Sequence, residues 1–398
     1  MIKKSLFLSL MMVTLNVQSQ DSTANVFINT ADQLMQSNSR LNLGGYGEIH
    51  YNQPLTKDFK ESGTLDVHRI VMFMGYNFSS KTQFVSEIEF EYAKELWVEQ
   101  AFLQHKLNKY MNLRAGLILV PMGIINEYHE PTTFHGVERP VIDNKIAPST
   151  WREVGAGFTG TILKASLKYQ AYLVGGLNSY DTKGVFSGSK AIREGRQKGS
   201  KAYFNQPAFA AKVEYFGIRN LNIGLSAYAG KSASKLNQKL NRDSTMLVSR
   251  ADSSTTGIMM IGADARYQLK GVEMRAQFYY TNFSNSMEYN KFTSNNGKQN
   301  DLPVANMGYY AELAYNLLQT SDSPYALIPF FRYEWYDLHY KVNENTVKNE
   351  QYLNTMLTTG LTFKLHKNAA LKADLQFYKS KLETDWSKTF NLGVGVMF

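Results

Sequence analysis

The sequence predicts an all-β fold, a 16-stranded antiparallel transmembrane β-barrel of the outer membrane, and three observations carry that expectation. Apolar residues recur with period two from residue 41 onward. The connections between these segments alternate short and long. The chain ends in one more alternating segment closed by an aromatic residue. Composition agrees: the 398 residues include 25 tyrosines, 23 phenylalanines, only 9 prolines and no cysteine, and 19% are charged. Disorder, a disulfide scaffold and a cysteine-ligated zinc site are thereby excluded. A helical membrane bundle is excluded as well. The longest uncharged apolar stretch after the N-terminus, Ala115–Ile125, is too short to span and contains Gly116, Pro121 and Gly123.

The first residues read as an export signal. Lys3 and Lys4 form a basic start, Leu6–Leu15 an apolar core, and Val17 and Ser19 precede a cut ahead of Gln20. Residues 1–19 are therefore assigned to a signal peptide, and their removal takes two lysines from the formal net charge of +9. Residues 20–40 are polar, with Val26, Phe27, Ile28, Leu34 and Met35 as their sizeable apolar groups. They form an N-terminal periplasmic segment: a short helix, a plug-like stretch or a loose chain.

The barrel domain is placed at 41–398. In its first strand Leu41, Leu43, Ile49 and Tyr51 share one face, and Asn42, Tyr46, Glu48 and His50 the other. The alternation returns in 82–92, 221–230, 259–269, 272–281 and 307–317. Short connections fall at 79–80, 108–110, 164–165, 217–220, 270–271, 319–323 and 367–368, and long ones at 121–150, 177–206, 232–255, 285–304 and 339–351. Tight turns at one end and long loops at the other mark an outer-membrane barrel, and an even strand count puts both termini on the periplasmic side. In the last strand Phe390, Leu392, Val394, Val396 and Phe398 make one apolar face, suited to lipid.

Tyr46, Tyr51, Trp97, Tyr267, Tyr279, Tyr280, Tyr333, Trp335 and Trp386 are assigned to interfacial aromatic girdles, with sugar-stacking platforms as the alternative. Charges belong in the lumen, since a lysine or arginine facing lipid at the midplane costs about 2–4 kcal/mol. By register the lumen cations are Arg69, Arg114, Lys168, Lys212, Arg266, Arg275, Arg332, Lys364 and Lys372. The anions are Glu48, Glu87, Glu89, Glu91, Glu99, Glu153, Glu214, Asp264, Glu273, Glu312, Glu334 and Asp374. This describes a wet channel of mixed charge, with Glu99 and Arg114 expected to pair across neighbouring strands. The pore-lining set is Arg69, Glu99, Arg114, Glu153, Arg266, Arg275, Arg332 and Glu334.

Positive charge collects in two long loops. Residues 177–206 hold Lys183, Lys190, Arg193, Arg196, Lys198 and Lys201 against Asp181 and Glu194. Residues 231–255 hold Lys231, Lys235, Lys239, Arg242 and Arg250 against Asp243 and Asp252. Such loops funnel anions to the mouth, bridge the phosphates of outer-membrane lipopolysaccharide, or are simply solvated. The loop at 121–150 is long, lacks periodicity, and is too apolar for open solvent because of Phe134, Val137, Val141, Ile142 and Ile146. It is expected to fold inward as a constriction, presenting Glu127, His129, Glu130, His135, Glu138 and Arg139. Its carboxylates and imidazoles lack a ligand-spacing motif, so no metal and no cofactor is expected. Seven scattered histidines without a nucleophile motif give no sign of an enzyme. Nothing points to a nucleic-acid partner.

Between residues 64 and 160 the chain resembles the phosphate-selective porin O and P family. The matching runs are Asp66–Gly75, Phe84–Phe90, Glu99–Leu103, Leu113–Gly123, Glu138-Arg139-Pro140 and Trp151–Gly155, with Arg332-Tyr333-Glu334 and the terminal Phe398 in keeping. The resemblance implies a 16-stranded barrel, usually a homotrimer, with the third extracellular loop bent into the lumen, and it assigns Arg69, Arg114, Arg139 and Arg152 to pore or loop. The expected function is passive outer-membrane diffusion of small hydrophilic solutes and ions, with anions or phosphate favoured. The alternative is a non-conducting barrel that serves as subunit or anchor of a larger envelope complex.

Overall fold

The computed structural model describes residues 29–56 and 61–398; the signal peptide assigned to 1–19 lies outside them. Among the described residues, sixteen antiparallel strands close into one barrel. They are β1 (Leu41–Pro54), β2 (Thr64–Asn77), β3 (Thr82–Glu91), β4 (Glu95–Lys106), β5 (Asn112–Leu119), β6 (Arg152–Ile162), β7 (Leu167–Gly175) and β8 (Pro207–Ile218). The second half comprises β9 (Leu221–Lys231), β10 (Gly257–Leu269), β11 (Val272–Ser284), β12 (Ala305–Tyr315), β13 (Ala326–Lys341), β14 (Leu353–His366), β15 (Ala369–Ser380) and β16 (Ser387–Met397). Closure pairs β1 with β16, Glu48 standing opposite Gly395 and Asn52 opposite Asn391. Every strand edge is thereby satisfied, which is what lets strands cross a lipid phase. No helix among the described residues is long and apolar enough to cross a membrane.

The period-two pattern becomes two faces. Leu225, Met259 and Leu173 project outward at 62%, 61% and 59% exposure, while their neighbours Ser226, Met260 and Tyr172 are buried inside. Short turns keep adjacent strands in register. Lys270 and Gly271, both at positive φ (47° and 84°), make the two-residue turn between β10 and β11, as the right-handed strand twist favours.

The long loops do not stand in solvent. Residues 120–151 enter the barrel, where Ile142–Lys145 forms one helical turn. Inside, Val120, Met122, Ile142, Ile146 and Trp151 join Tyr172, Tyr228, Met260, Tyr279 and Tyr310 of the wall in a single apolar core. Phe186 and Ile192 of the next long loop and Tyr289 and Leu302 of a later one complete it. Loops and wall therefore pack part of the lumen with apolar side chains, and the wet channel of mixed charge expected from the wall is corrected to one partly filled by this core. The inward face of β16 is shaped for the loop: a Cβ on Gly393 would lie 3.0 Å from Val137, and one on Gly395 2.7 Å from Pro131.

Three aromatic assignments change with this. Tyr46 and Tyr279 are fully buried in the lumen, not in a girdle, because their strands turn those positions inward. Trp97 likewise faces the lumen mouth, under Lys198 at 4.3 Å. Of the segment at 20–40, residues 30–36 form a short helix, α1 (Thr30–Gln36), packed against β2 and β3. Its Met35 carbonyl accepts from Gln83 at 2.7 Å, and Thr30 reaches the inward loop, donating from its backbone N and Oγ1 to Glu130 at 3.1 and 2.5 Å.

The outward face has a direct test. Leu225→Arg places a guanidinium against lipid and is expected to cost about 2–4 kcal/mol in folding into lipid vesicles. An unchanged unfolding midpoint would show that this face does not meet lipid.

Candidate functional site

The inward loop is fixed because lumen charges that cannot reach water find partners on it. At its neck Asn126 donates to the Val120 and Trp151 carbonyls at 2.7 and 2.9 Å and accepts from Trp151 N at 2.7 Å. Lys212 of β8, 1% exposed, donates to the Gly123 carbonyl at 2.7 Å and to Glu127 at 3.0 Å. Ile124 N donates to Gln277 of β11 at 3.0 Å, Val141 N to Glu334 of β13 at 2.6 Å, and Val137 N to Asp374 of β15 at 2.6 Å. Lys372 donates to the Phe134 and Gly136 carbonyls at 2.8 and 2.9 Å. Wall strands on both sides thus hold the loop by backbone atoms that no side-chain pattern reveals.

Every residue of the expected pore-lining set projects inward, but few of them meet open space. Glu99, Glu153, Arg332 and Glu334 are completely enclosed. Arg332 pairs with Glu334 at 2.9 Å and Glu312 at 3.3 Å and donates to the Glu138 carbonyl at 3.2 Å. Arg266 pairs with Glu214 at 2.6 Å and stacks over Tyr128 of the loop at 4.3 Å. Arg275 lies 3.5 Å from Glu273 and 3.9 Å from Glu312. Glu153 accepts from Gln197 N at 3.2 Å. The expected pair of Glu99 with Arg114 is corrected. Register sets Arg114 opposite Gln104, which accepts from its Nε and Nη2 at 3.0 and 2.8 Å. Glu99 lies five residues further along β4, near Arg152 at 3.8 Å and His129 at 3.3 Å.

The six loop residues divide in the same way. Glu127, His129, Glu130 and His135 are buried against the wall, His135 facing Glu273 at 3.1 Å. Burial opposes charge on His129, yet Glu87 and Glu99 outweigh it and raise its pKa to about 10. Glu138 and Arg139 border an opening instead.

That opening is a cavity of ≈ 450 Å³ on the β1–β4 side. Acids reach it from β1 and β3 as Glu48, Glu89 and Glu91, and Glu138 joins them from the loop. His50 contacts both Glu48 and Glu138, at 3.0 and 3.2 Å, and holds the Glu138 carboxyl below its usual range against the effect of burial. Bases reach it from the other direction: Arg152 opens β6, and Arg193, Arg196 and Lys198 come from the loop after β7. Burial first, then neighbouring cations, lowers the pKa of Arg196 and Lys198. Arg193 Nη1 and Arg152 Nε are buried without a hydrogen-bond partner among the described residues. Sequence reasoning offered a funnel at the mouth as one reading of this basic loop but gave no sign of which groups it faces there.

The cavity, the inward loop and the 16-strand wall define the class: the fold is that of the bacterial outer-membrane porins, and it supports an outer-membrane location. Solved structures that share it include three that each align over 90% of this chain. They are the outer membrane channel DcaP of Acinetobacter baumannii (TM-score 0.56, 11% identity, 97% of that chain), OmpF of Salmonella typhi in complex with daunomycin (0.56, 14%, 97%), and an anion-selective porin from Comamonas acidovorans (0.54, 10%, 99%). At these identities the likeness shows the fold alone. No family model matches the chain. Over 371 residues it is 31% identical to an uncharacterized protein of Aquifex aeolicus (strain VF5), covering 89% of this chain and 80% of that one. The chain belongs to the family of that protein.

Asp143 offers a test of the loop's docking. It is buried, accepts from Tyr279 Oη at 2.6 Å, and burial raises its pKa to about 7 despite that bond. Its unfolded value is about 3.9, so the folded state holds the proton more tightly. This stabilisation is full below about pH 4 and is lost as pH rises through about 7. Asp143→Asn is expected to flatten the pH dependence of the unfolding midpoint between pH 5 and 8 and to exceed wild type at pH 8. An identical slope in both proteins would show that Asp143 is not buried as a proton-holding acid.

Proposed function

We propose that the protein is a passive, non-enzymatic diffusion channel for small hydrophilic solutes and ions that favours anions, its path running through the cavity beside the inward loop. The observation that carries the preference is the group formed by Arg152, Arg193, Arg196 and Lys198 over that cavity. Buried guanidinium donors without acceptors are costly, and an anion at the mouth supplies the missing acceptors and relieves the mutual repulsion. The acids on the opposite side keep the field mixed, so the preference is modest and falls with salt. The resemblance to the phosphate-selective porin O and P family, carried by the quoted motifs, agrees with an anion-favouring path and adds a homotrimer to the proposal. Lipopolysaccharide phosphates are the other anions within reach of the basic loops.

Reversal potentials in a KCl gradient across planar bilayers test this reading. Wild type is expected to pass chloride over potassium, and Arg193→Ala combined with Lys198→Ala to shift the reversal potential toward cations with assembly unchanged. A shift of zero would remove the mouth cluster from the path. Bilayers that stay silent at all salt concentrations would overturn the channel and leave the non-conducting anchor.

A further inference from the structure

The geometry points to a divalent transition-metal site between loop and wall, formed by Glu87 of β3, Glu99 of β4 and His129 of the inward loop. All three are buried, at 0%, 0% and 3% exposure, and one ligand atom from each lies within 4.8 Å of the others. His129 Nε2 stands 3.4 Å from Glu87 Oε1 and 3.3 Å from Glu99 Oε2. These separations admit a weak hydrogen bond from an imidazolium to Glu87. They match the spacing of about 3.3 Å between ligand atoms that each lie about 2.0–2.1 Å from a tetrahedral ion.

Three further observations point the same way. His129 Nδ1 faces the Asn126 carbonyl at 3.3 Å, an acceptor only, so Nδ1 carries the proton and Nε2 is turned to the carboxylates. Glu87 uses its other oxygen to accept from Gln100 at 2.7 Å, which orients Oε1 toward the histidine. Neither oxygen of Glu99 has a hydrogen-bond partner among the described residues, although the side chain is completely enclosed. A cation at this point displaces the Nε2 proton of His129 and satisfies the ring nitrogen and both carboxylates together. One imidazole with two carboxylates suits zinc or a similar ion, and the set is too small for calcium, which takes 6–8 oxygens. Two ligands sit on the wall and one on the loop, so the ion cross-links them. Arg152, 3.8 Å from Glu99, connects this point to the cavity mouth. The expectation of no metal rested on spacing within the loop alone, whereas these ligands come from three separate elements.

Zinc and cobalt titration of the full-length, chelator-stripped protein in detergent micelles tests the site. One zinc per chain is expected, with cobalt giving the intense visible absorption of a tetrahedral ion. His129→Gln, Glu99→Gln and Glu87→Gln are each expected to weaken zinc binding by about tenfold or more. Heat-modifiable mobility on gels reports folding, and Glu87→Gln decides the matter if the histidine variant does not fold. Absence of stoichiometric zinc would overturn the site. So would equal zinc affinity in folded variants and wild type, which would leave His129 as an imidazolium bridging the two carboxylates.

Discussion

A buried charge without a partner is the constraint on which the rest of this structure depends. The barrel wall must keep its charges off the lipid, so they face inward, and there the apolar loops shut many of them away from water. Lys212 shows the consequence. Fully enclosed, it is held by Glu127, Glu214 and Asp264 at 3.0, 3.7 and 3.8 Å, and by the Gly123 carbonyl. Removing one partner of such a group costs about 3–5 kcal/mol, so the loop that supplies Glu127 and Gly123 has one place to sit. Arg332, Lys372, Glu334 and Asp374 fix it in the same way on the opposite wall.

The channel's shape follows from that docking. Apolar loop residues pack with wall residues into one core, and the cavity lies off centre, bordered chiefly by β1–β4 and the long loops. Carboxylates and guanidinium groups from different elements face one another across this cavity at short range and low local dielectric, where fixed charges act strongly. The floor of the same region is tied from below, since α1 presents Thr30 to Glu130 of the loop. Loop, wall and α1 are therefore joined by direct hydrogen bonds.

Much of this was legible in the sequence. A strand buried on one face leaves a period-two trace, so the strand order, the position of the long loops and the inward direction of Arg69, Arg114 and Arg332 could be read from alternation alone. Outcomes that depend on register or on distant elements could not. Glu99 and Arg114 share neighbouring strands but are separated by five residues of stagger. Tyr46 has the amphipathic character of a girdle residue, yet its alternation with Glu48 and His50 already turns it to the lumen face of β1. Alternation gives Gly393 and Gly395 of β16 no role, whereas their lack of a side chain makes room for Val137 and Pro131. Backbone donors such as Val137 N and Val141 N leave no trace in residue types at all.

An off-centre path beside an apolar core can be measured directly. The chain contains no cysteine, so single cysteines report their own surroundings. Glu91→Cys, at the cavity, and Met260→Cys, in the apolar core, would each be exposed to a charged methanethiosulfonate reagent during single-channel recording. The account expects a stepwise conductance change for Glu91→Cys and none for Met260→Cys. Equal modification of both, or modification of Met260→Cys alone, would contradict it.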